Sequence, residues 1–164
     1  MTQGFHHVAY RCKDAHETVN FYNKILKFPL AHTLLINETK TKRKVNVLHI
    51  FFKIGINSYL AFFDYPSKKF NFKKQHDFDL HFAILVSKKK LKEIIKIANL
   101  KKLEIRGPSN HEFIESIYLR DPNGYVVEFT AKTSKHDEIF NRNPLMNLKL
   151  LNNWKKVKKI DKNM

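Results

Sequence analysis

Two histidines and one glutamate have the residue types of a metal-binding site. His7 and His81 each begin a stretch of alternating side chains, and Glu128 lies inside a third, which indicates three β-strands. Two imidazoles and one carboxylate form a ligand set for divalent transition metals that leaves coordination positions open. The sequence therefore predicts a metal site formed by His7, His81 and Glu128.

The segments that follow the two histidines are similar to each other. His7 begins His-Val-Ala-Tyr-Arg-Cys and His81 begins His-Phe-Ala-Ile-Leu-Val, and an amphipathic helix is predicted after each. Such internal similarity indicates two copies of one structural unit. We expect the two histidines to occupy equivalent positions in these copies.

Side-chain periodicity and turn residues predict the same element order, β-α-β-β-β, in both halves, and so an α+β fold with two βαβββ units. The first unit, about 4–65, has a strand at 5–12, a helix from the capping box Asp14–Glu17, and strands near 31–37, 45–53 and 57–63. A linker spans 66–79, and the second unit, about 78–132, has a strand at 80–86, a helix at 88–100, and strands near 103–106, 114–120 and 125–131. Asp121–Gly124 is the predicted turn before the last strand.

Alternation along the strands predicts which side chains share a face. The apolar pairs expected beneath the helices are Val8 and Tyr10, Phe82 and Ile84, and Val127 and Phe129. His7, His81 and Glu128 have the opposite parity, so we expect them on the faces that no helix covers.

Composition limits the class of protein. A chain of 164 residues with 43% hydrophobic content can form one domain, predicted at 1–134, and contains no run long enough to span a membrane. Its single cysteine, Cys12, is typical of a reducing compartment, so we expect a cytoplasmic protein. The net charge of +16 comes from lysines spread along the chain, which favours a solvated surface over nucleic-acid binding.

Three motifs resemble the vicinal oxygen chelate superfamily over roughly residues 4–132. They are His-His-Val-Ala-Tyr-Arg-Cys-Lys-Asp, Phe-Tyr-Asn-Lys-Ile-Leu, and Asp-Pro-Asn-Gly-Tyr-Val-Val-Glu. This superfamily includes glyoxalase I, fosfomycin-resistance transferases, bleomycin-binding proteins and extradiol dioxygenases. The resemblance implies a curved mixed sheet around a central metal cavity, with ligands on the first and last strands of the units. Ala61 occupies the place where glyoxalase I has a carboxylate ligand, so a glyoxalase I activity is not expected.

A second resemblance concerns the extradiol ring-cleaving dioxygenases. The order of His111, Ile117-Tyr118, Asp121-Pro-Asn-Gly and Glu128 is similar to their signature, although Ser109 departs from it. The resemblance implies that His111 is an acid/base group and that Tyr118 donates a hydrogen bond to substrate. His49 is a further catalytic candidate because its parity directs it to the same cavity. Alternatively, His111 is a solvated loop residue and Tyr118 an ordinary strand aromatic.

The expected function is therefore metal-dependent cleavage of a catechol-like diol by dioxygen, with Fe(II), Mn(II) or another divalent metal as cofactor. Two alternatives stay open: another metalloenzyme of the superfamily, namely a transferase, isomerase or hydrolase, and a metal-free protein of the bleomycin-binding kind. Single-module relatives commonly dimerise, so the resemblance implies a homodimer.

The chain continues beyond the predicted domain as a basic extension, 135–164. Leu145, Leu148, Leu151 and Trp154 lie among lysines there and are consistent with a helix. Such a helix could pack on an open sheet edge of the protein, on a partner subunit or on a membrane surface. We favour packing on the protein itself.

Overall fold

The computed structural model describes residues 2, 4–74, 76–142 and 144–161. Residues 1, 3, 75, 143 and 162–164 belong to the predicted domain, linker and C-terminal extension and lie outside the described residues.

The first module has the predicted element order, with one local difference in its helix. Its elements are β1 (His7–Cys12), α1 (Ala15–Val19), a π-helix (Asn20–Ile25), β2 (Leu30–Glu38), β3 (Lys44–Lys53) and β4 (Tyr59–Asp64). The side chain of Asp14 accepts a hydrogen bond from the Glu17 amide at 2.7 Å, so the helix begins at the predicted cap. The later turns have π rather than α geometry.

The second module repeats this order with a regular helix. Its elements are β5 (His81–Leu85), α2 (Lys88–Leu100), β6 (Ile105–Asn110), β7 (Ile114–Arg120) and β8 (Val126–Lys132). Ser87 caps α2 by accepting a hydrogen bond from the Lys90 amide at 3.1 Å. Strand β6 extends four residues past its predicted end at Arg106 and reaches Asn110.

Each module forms its own four-stranded mixed sheet. The strand orders are β1-β4-β3-β2 and β5-β8-β7-β6, and in each sheet the first and last strands of the module pair in parallel. The predicted α+β fold with two βαβββ units is thus confirmed, as two sheets. Strands β1 and β5 each lie at an edge of their sheet.

One hydrophobic core serves both modules. Buried residues from both helical segments and both sheets form a single cluster that includes Tyr22, Phe62, Ile94 and Phe129. The predicted parity is confirmed: Val8, Tyr10 and Phe82 pack against this cluster, and Ile84, Val127 and Phe129 belong to it. The modules therefore share their helix-side faces, which leaves His7, His81 and Glu128 on the faces without a helix.

Hydrogen bonds at the Asp121–Gly124 turn join the modules. The buried Asp121 carboxylate accepts from the Tyr22 hydroxyl at 2.9 Å and from the Tyr125 amide at 2.8 Å. Asn123 Oδ1 accepts from the Lys13 amide at 2.8 Å. Gly124 has φ +92°, and a Cβ there would lie 2.5 Å from the carbonyl oxygen of Lys73, so only glycine allows the linker to pass this closely.

The C-terminal extension contains two helices, α3 (His136–Phe140) and α4 (Pro144–Asp161). The helical expectation is confirmed, whereas the favoured packing on the protein itself is not observed in the described part of the chain. Leu148, Leu151 and Trp154 are all at least half exposed, and the described residues of α4 make no extensive contact with another element. Among the described residues, none of the helices has the length and apolar character needed to cross a membrane.

Candidate metal centre

His81 and Glu128 meet on the open face of the second sheet. His81 begins the edge strand β5, and Glu128 lies on the neighbouring strand β8. Their Nε2 and Oε2 atoms are 3.1 Å apart. Glu128 is only 4% exposed although no helix covers this face, and a buried carboxylate is costly unless it is paired or binds a cation. The structure therefore brings two of the three predicted ligands together.

Tyr118 and His111 extend this pair into a chain of hydrogen bonds. Tyr118 Oη donates to Glu128 Oε1 at 3.3 Å, and His111 Nε2 lies 3.0 Å from the same hydroxyl group. Burial, and then the charge of Glu128, raise the pKa of Tyr118, so the phenol keeps its proton at neutral pH. This side chain is thus a hydrogen-bond donor next to the candidate ligands.

Two residues that the sequence did not indicate also belong to this site. The carbonyl oxygen of Asp77 lies 2.6 Å from His81 Nδ1, and the Asp77 carboxylate forms an ion pair with Arg106. The Arg106 guanidinium carbon is 5.5 Å from the centre of the Tyr118 ring. No local motif marks Asp77, which lies in the linker, and Arg106 is distant in sequence.

His7 lies on the open face of the first sheet. Its ring is 5.5 Å from that of Phe51 and 6.2 Å from that of His49, and its Nδ1 atom is 2.8 Å from His6 Nδ1. Within the described residues, no group of three or more His, Cys, Asp or Glu side chains is placed to hold a metal. One chain thus pairs His81 with Glu128 but does not bring His7 to them.

His49 is the third catalytic candidate, and it belongs to the first module. It is 7% exposed, and its ring stacks on Phe63 with 3.7 Å between centroids. Its Nε2 atom is buried and has no hydrogen-bond partner in the described chain. Burial, followed by the nearby His7 and His32 rings, lowers the pKa of His49, which favours a neutral imidazole.

Strand register shows that Ala61 and Glu128 occupy equivalent positions. Ala9, two residues after His7, pairs with Ala61, and Ala83, two residues after His81, pairs with Glu128. The first module therefore has a methyl group where the second has its carboxylate. The second module of one chain thus offers one imidazole nitrogen and one carboxylate group, donor types that suit iron, manganese or zinc.

Comparison with protein families identifies the class. Residues 4–129 match the model of the Glyoxalase/Bleomycin resistance protein/Dioxygenase superfamily. The chain belongs to this superfamily, also called the vicinal oxygen chelate superfamily. No curated protein matches the chain.

Solved structures of similar fold come from several sources. An integron cassette protein from the mobile metagenome of the Halifax Harbour sewage outfall is 28% identical, with a TM-score of 0.56 over 79% of this chain and 99% of that one. A glyoxylase/bleomycin resistance protein/dioxygenase domain from Frankia sp. EAN1pec is 12% identical, with a TM-score of 0.66 over 81% and 100% of the two chains. A point mutant of the fosfomycin resistance protein FosX from Listeria monocytogenes, complexed with Mn(II) and 1S,2S-dihydroxypropylphosphonic acid, is 17% identical, with a TM-score of 0.59 over 84% and 98%.

Proposed function

We propose that this protein is a metal-dependent enzyme in which His7, His81 and Glu128 hold one divalent ion. The observation that carries the proposal is the buried Glu128 carboxylate, which His81 and Tyr118 contact from two sides. An ion bound there would draw in the oxygens of a chelating substrate and lower their pKa. Fe(II) is our first candidate, and Mn(II) or another divalent ion is the alternative. The lone thiol, Cys12, supports a cytoplasmic location.

The separation of His7 from the other two ligands supports a homodimer. Strands β1 and β5 are edges of their sheets, and a groove of about 580 Å³ lies between them, lined by residues of both strands including Tyr10 and His81. Phe5 and Leu85 expose large apolar surfaces near these edges, as interface residues do. In the proposed dimer, the first module of one copy faces the second module of the other, so His7 of one chain completes the pair of its partner.

Extradiol-type cleavage of a catechol-like diol is the first reaction we propose. The carbon–carbon bond next to the diol would break, and both atoms of dioxygen would enter the product. The hydrogen-bonded series from His111 through Tyr118 to Glu128 supports this reaction. On substrate binding, Tyr118 would turn its single hydroxyl proton from Glu128 to a substrate oxygen, and the exposed His111 would exchange protons with water.

The first module would supply the wall of the site. Phe51 and Phe63 contact His49 and present aromatic surface, on which a planar substrate can pack. The unpaired Nε2 atom of His49 would bond to a polar group of the substrate, because a buried nitrogen without a partner is costly.

The FosX structure favours a second candidate function. Its bound Mn(II) and dihydroxypropylphosphonic acid suggest a manganese-dependent fosfomycin-resistance activity for this chain as well. A metal-free binding protein of the bleomycin kind is the third possibility that the superfamily offers.

One set of assays separates these functions. Protein purified without oxygen is loaded with Fe(II) and given a panel of catechols, and we expect oxygen uptake and a yellow ring-fission product. The same protein loaded with Mn(II) is given fosfomycin, and the phosphonate products are followed by phosphorus NMR. Chelator-treated protein is titrated with bleomycin. Absence of catechol turnover, with conversion of fosfomycin or tight bleomycin binding, would replace the first candidate with the second or third.

Mixing two inactive variants tests the homodimer. His7→Ala and Glu128→Ala are each expected to lose metal, but a mixed dimer keeps one intact site, formed by His7 of one chain and the pair of the other. Unfolding and refolding the two variants together should restore about a quarter of wild-type metal content, given random pairing. If every site lay within one chain, the mixture would stay as empty as each variant alone.

A further inference from the structure

Arg106 and Asp77 form a two-point ion pair on the open face of the second sheet. Arg106 Nη1 and Asp77 Oδ2 are 2.6 Å apart, and Nη2 donates to Oδ1 at 2.7 Å. Hydrogen bonding to Arg106 lowers the pKa of Asp77, and the same contact raises the pKa of Arg106. Two parallel hydrogen bonds between a guanidinium group and a carboxylate fix the relative orientation of the two groups as well as the distance between them.

This ion pair reaches across the sheet. Arg106 lies on β6 and Asp77 lies just before β5, and these strands are opposite edges of the second sheet. Three strand spacings, about 14 Å, separate two such edges. The guanidinium group lies 5.5 Å from the centre of the Tyr118 ring, so the pair covers the middle of the open face beside the candidate ligands.

Asp77 also determines how the His81 ring is presented. Its carbonyl oxygen is 2.6 Å from Nδ1, while Nε2 faces Glu128 Oε2 at 3.1 Å. A histidine that binds metal through Nε2 needs its proton on Nδ1, with an acceptor that holds the ring in place. The backbone of Asp77 supplies that acceptor.

The turn that contains Asp77 has few other ties to the sheet. The amide groups of Phe78, Asp79 and Leu80 all donate to His76, within the turn itself. The large apolar side chain of the turn, Phe78, is 93% exposed and does not anchor it. Among the described residues, the ion pair with Arg106 is therefore the side-chain contact that joins this turn to the far edge of the sheet and keeps the Asp77 carbonyl group against His81.

We propose that Asp77 and Arg106 are positioning residues that fix the ring orientation of His81 across the open face, through the contact of the Asp77 carbonyl group with Nδ1. This inference rests on the proposed function only in treating His81 as a metal ligand. It predicts that breaking the ion pair weakens metal binding although neither side chain touches the metal.

The first measurement is metal affinity, by calorimetric titration with Mn(II). Asp77→Asn and Arg106→Gln should each raise the dissociation constant about tenfold, as loss of a group that orients a metal-binding histidine does. The charge exchange, Asp77→Arg with Arg106→Asp, should restore most of the loss. The control is Arg142→Gln, which removes an exposed ion pair with Glu138 (3.4 Å) and should leave affinity unchanged.

The second measurement observes the His81 ring directly by NMR, in metal-free protein. Long-range proton–nitrogen NMR of the His81 ring should show an Nδ1 signal shifted by the hydrogen bond to the Asp77 carbonyl group in the wild type, and that shift should be lost in Asp77→Asn and Arg106→Gln. An Nδ1 signal that stays the same in both variants would overturn the proposal. If the wild type binds no metal but the Nδ1 signal changes in the variants, the proposed metal site is wrong and the positioning of His81 stands.

Discussion

The open faces of the two modules differ at equivalent positions, whereas their helix-side faces agree. Register aligns Phe51 with Tyr118, because Phe51 pairs with Ala61 as Tyr118 pairs with Glu128. In the same way, His32 in the first module corresponds to Arg106 in the second. On the helix side, Phe62 corresponds to Phe129, and both are fully buried.

This difference shows which part of a duplicated unit is constrained by packing. Both helix-side faces contribute to one core, in which a change of volume is costly, so equivalent positions keep similar side chains. The open faces carry no such constraint. In this protein the open face of the second module carries the hydrogen-bonded residues His81, Glu128, Tyr118 and His111. The open face of the first module carries aromatic and imidazole rings. We infer that one module supplies the chemistry and the other most of the shape of the site.

The largest effect should come from the carboxylate that only the second module has. Glu128→Ala removes one of three proposed ligands and should weaken Mn(II) or Fe(II) binding by more than about 100-fold. The change at the equivalent position, Ala61→Ser, should leave binding intact. Metal analysis after gel filtration measures both, and normal metal content in Glu128→Ala would remove the basis for assigning different roles to the modules.

The helix-side faces should respond equally to truncation. Phe62→Ala and Phe129→Ala each open a cavity in the shared core and should cost about 3–5 kcal/mol of unfolding free energy. Urea denaturation of the two variants gives the comparison. A loss confined to one of them would show that the modules do not depend on a common core.

Two single variants, Tyr118→Phe and Phe51→Tyr, test the difference between the open faces at one pair of equivalent positions. Tyr118→Phe removes the donor beside Glu128 and should lower kcat by about 100-fold with metal content unchanged. Phe51→Tyr should change kcat by less than about threefold, because Ala61, its neighbour across the strands, has no carboxylate to accept a hydrogen bond from the new hydroxyl group. Steady-state assays, with whichever substrate the wild type turns over, measure kcat of both variants. Equal losses of kcat would indicate that both positions act through packing.

The smallest expected effect is on stability and depends on pH. Because Arg106 lowers the pKa of Asp77 below 3.8, the pair stabilises the fold above that pH, and the stabilisation is lost as the pH falls through the folded-state pKa. Arg106 is 48% exposed, so solvent limits the contribution to about 1 kcal/mol or less. Asp77→Asn should thus be less stable than wild type at pH 6, and the difference should shrink once the pH falls below 3.8 towards the folded-state pKa of Asp77. A difference in stability that does not shrink as the pH falls would show that the loss does not come from the charge.

Sequence reasoning predicted the fold well because strand parity and internal repetition are local signals. Val8, Phe82 and Val127 identified the helix-side faces before any tertiary contact was known, and the βαβββ order followed from turns and caps. The structure places Glu128 beside His81, and Tyr118 between Glu128 and His111, while the metal-binding and catalytic roles of these residues stay predictions.

What the sequence did not predict depends on long-range geometry. Whether His7 reaches Glu128 is decided by which faces share the core, and periodicity within a strand carries no information about that. The ion pair between Asp77 and Arg106 crosses a whole sheet, and no spacing rule links its members. The exposed position of Trp154 on α4 was also missed, because an apolar residue in a sequence does not reveal its partner.

The hydrogen bonds of Asp121 have a geometric consequence for assembly. Apolar surfaces can slide over one another, but the directional bonds from Tyr22 to Asp121 and from the Lys13 amide to Asn123 cross between the modules and set one angle between them. In the proposed two-fold dimer that angle would be used twice, so a few degrees of rotation in each chain would displace both proposed metal centres at once. The Asp-Pro-Asn-Gly turn thus acts as an alignment element that sets how the two open faces of one chain are oriented.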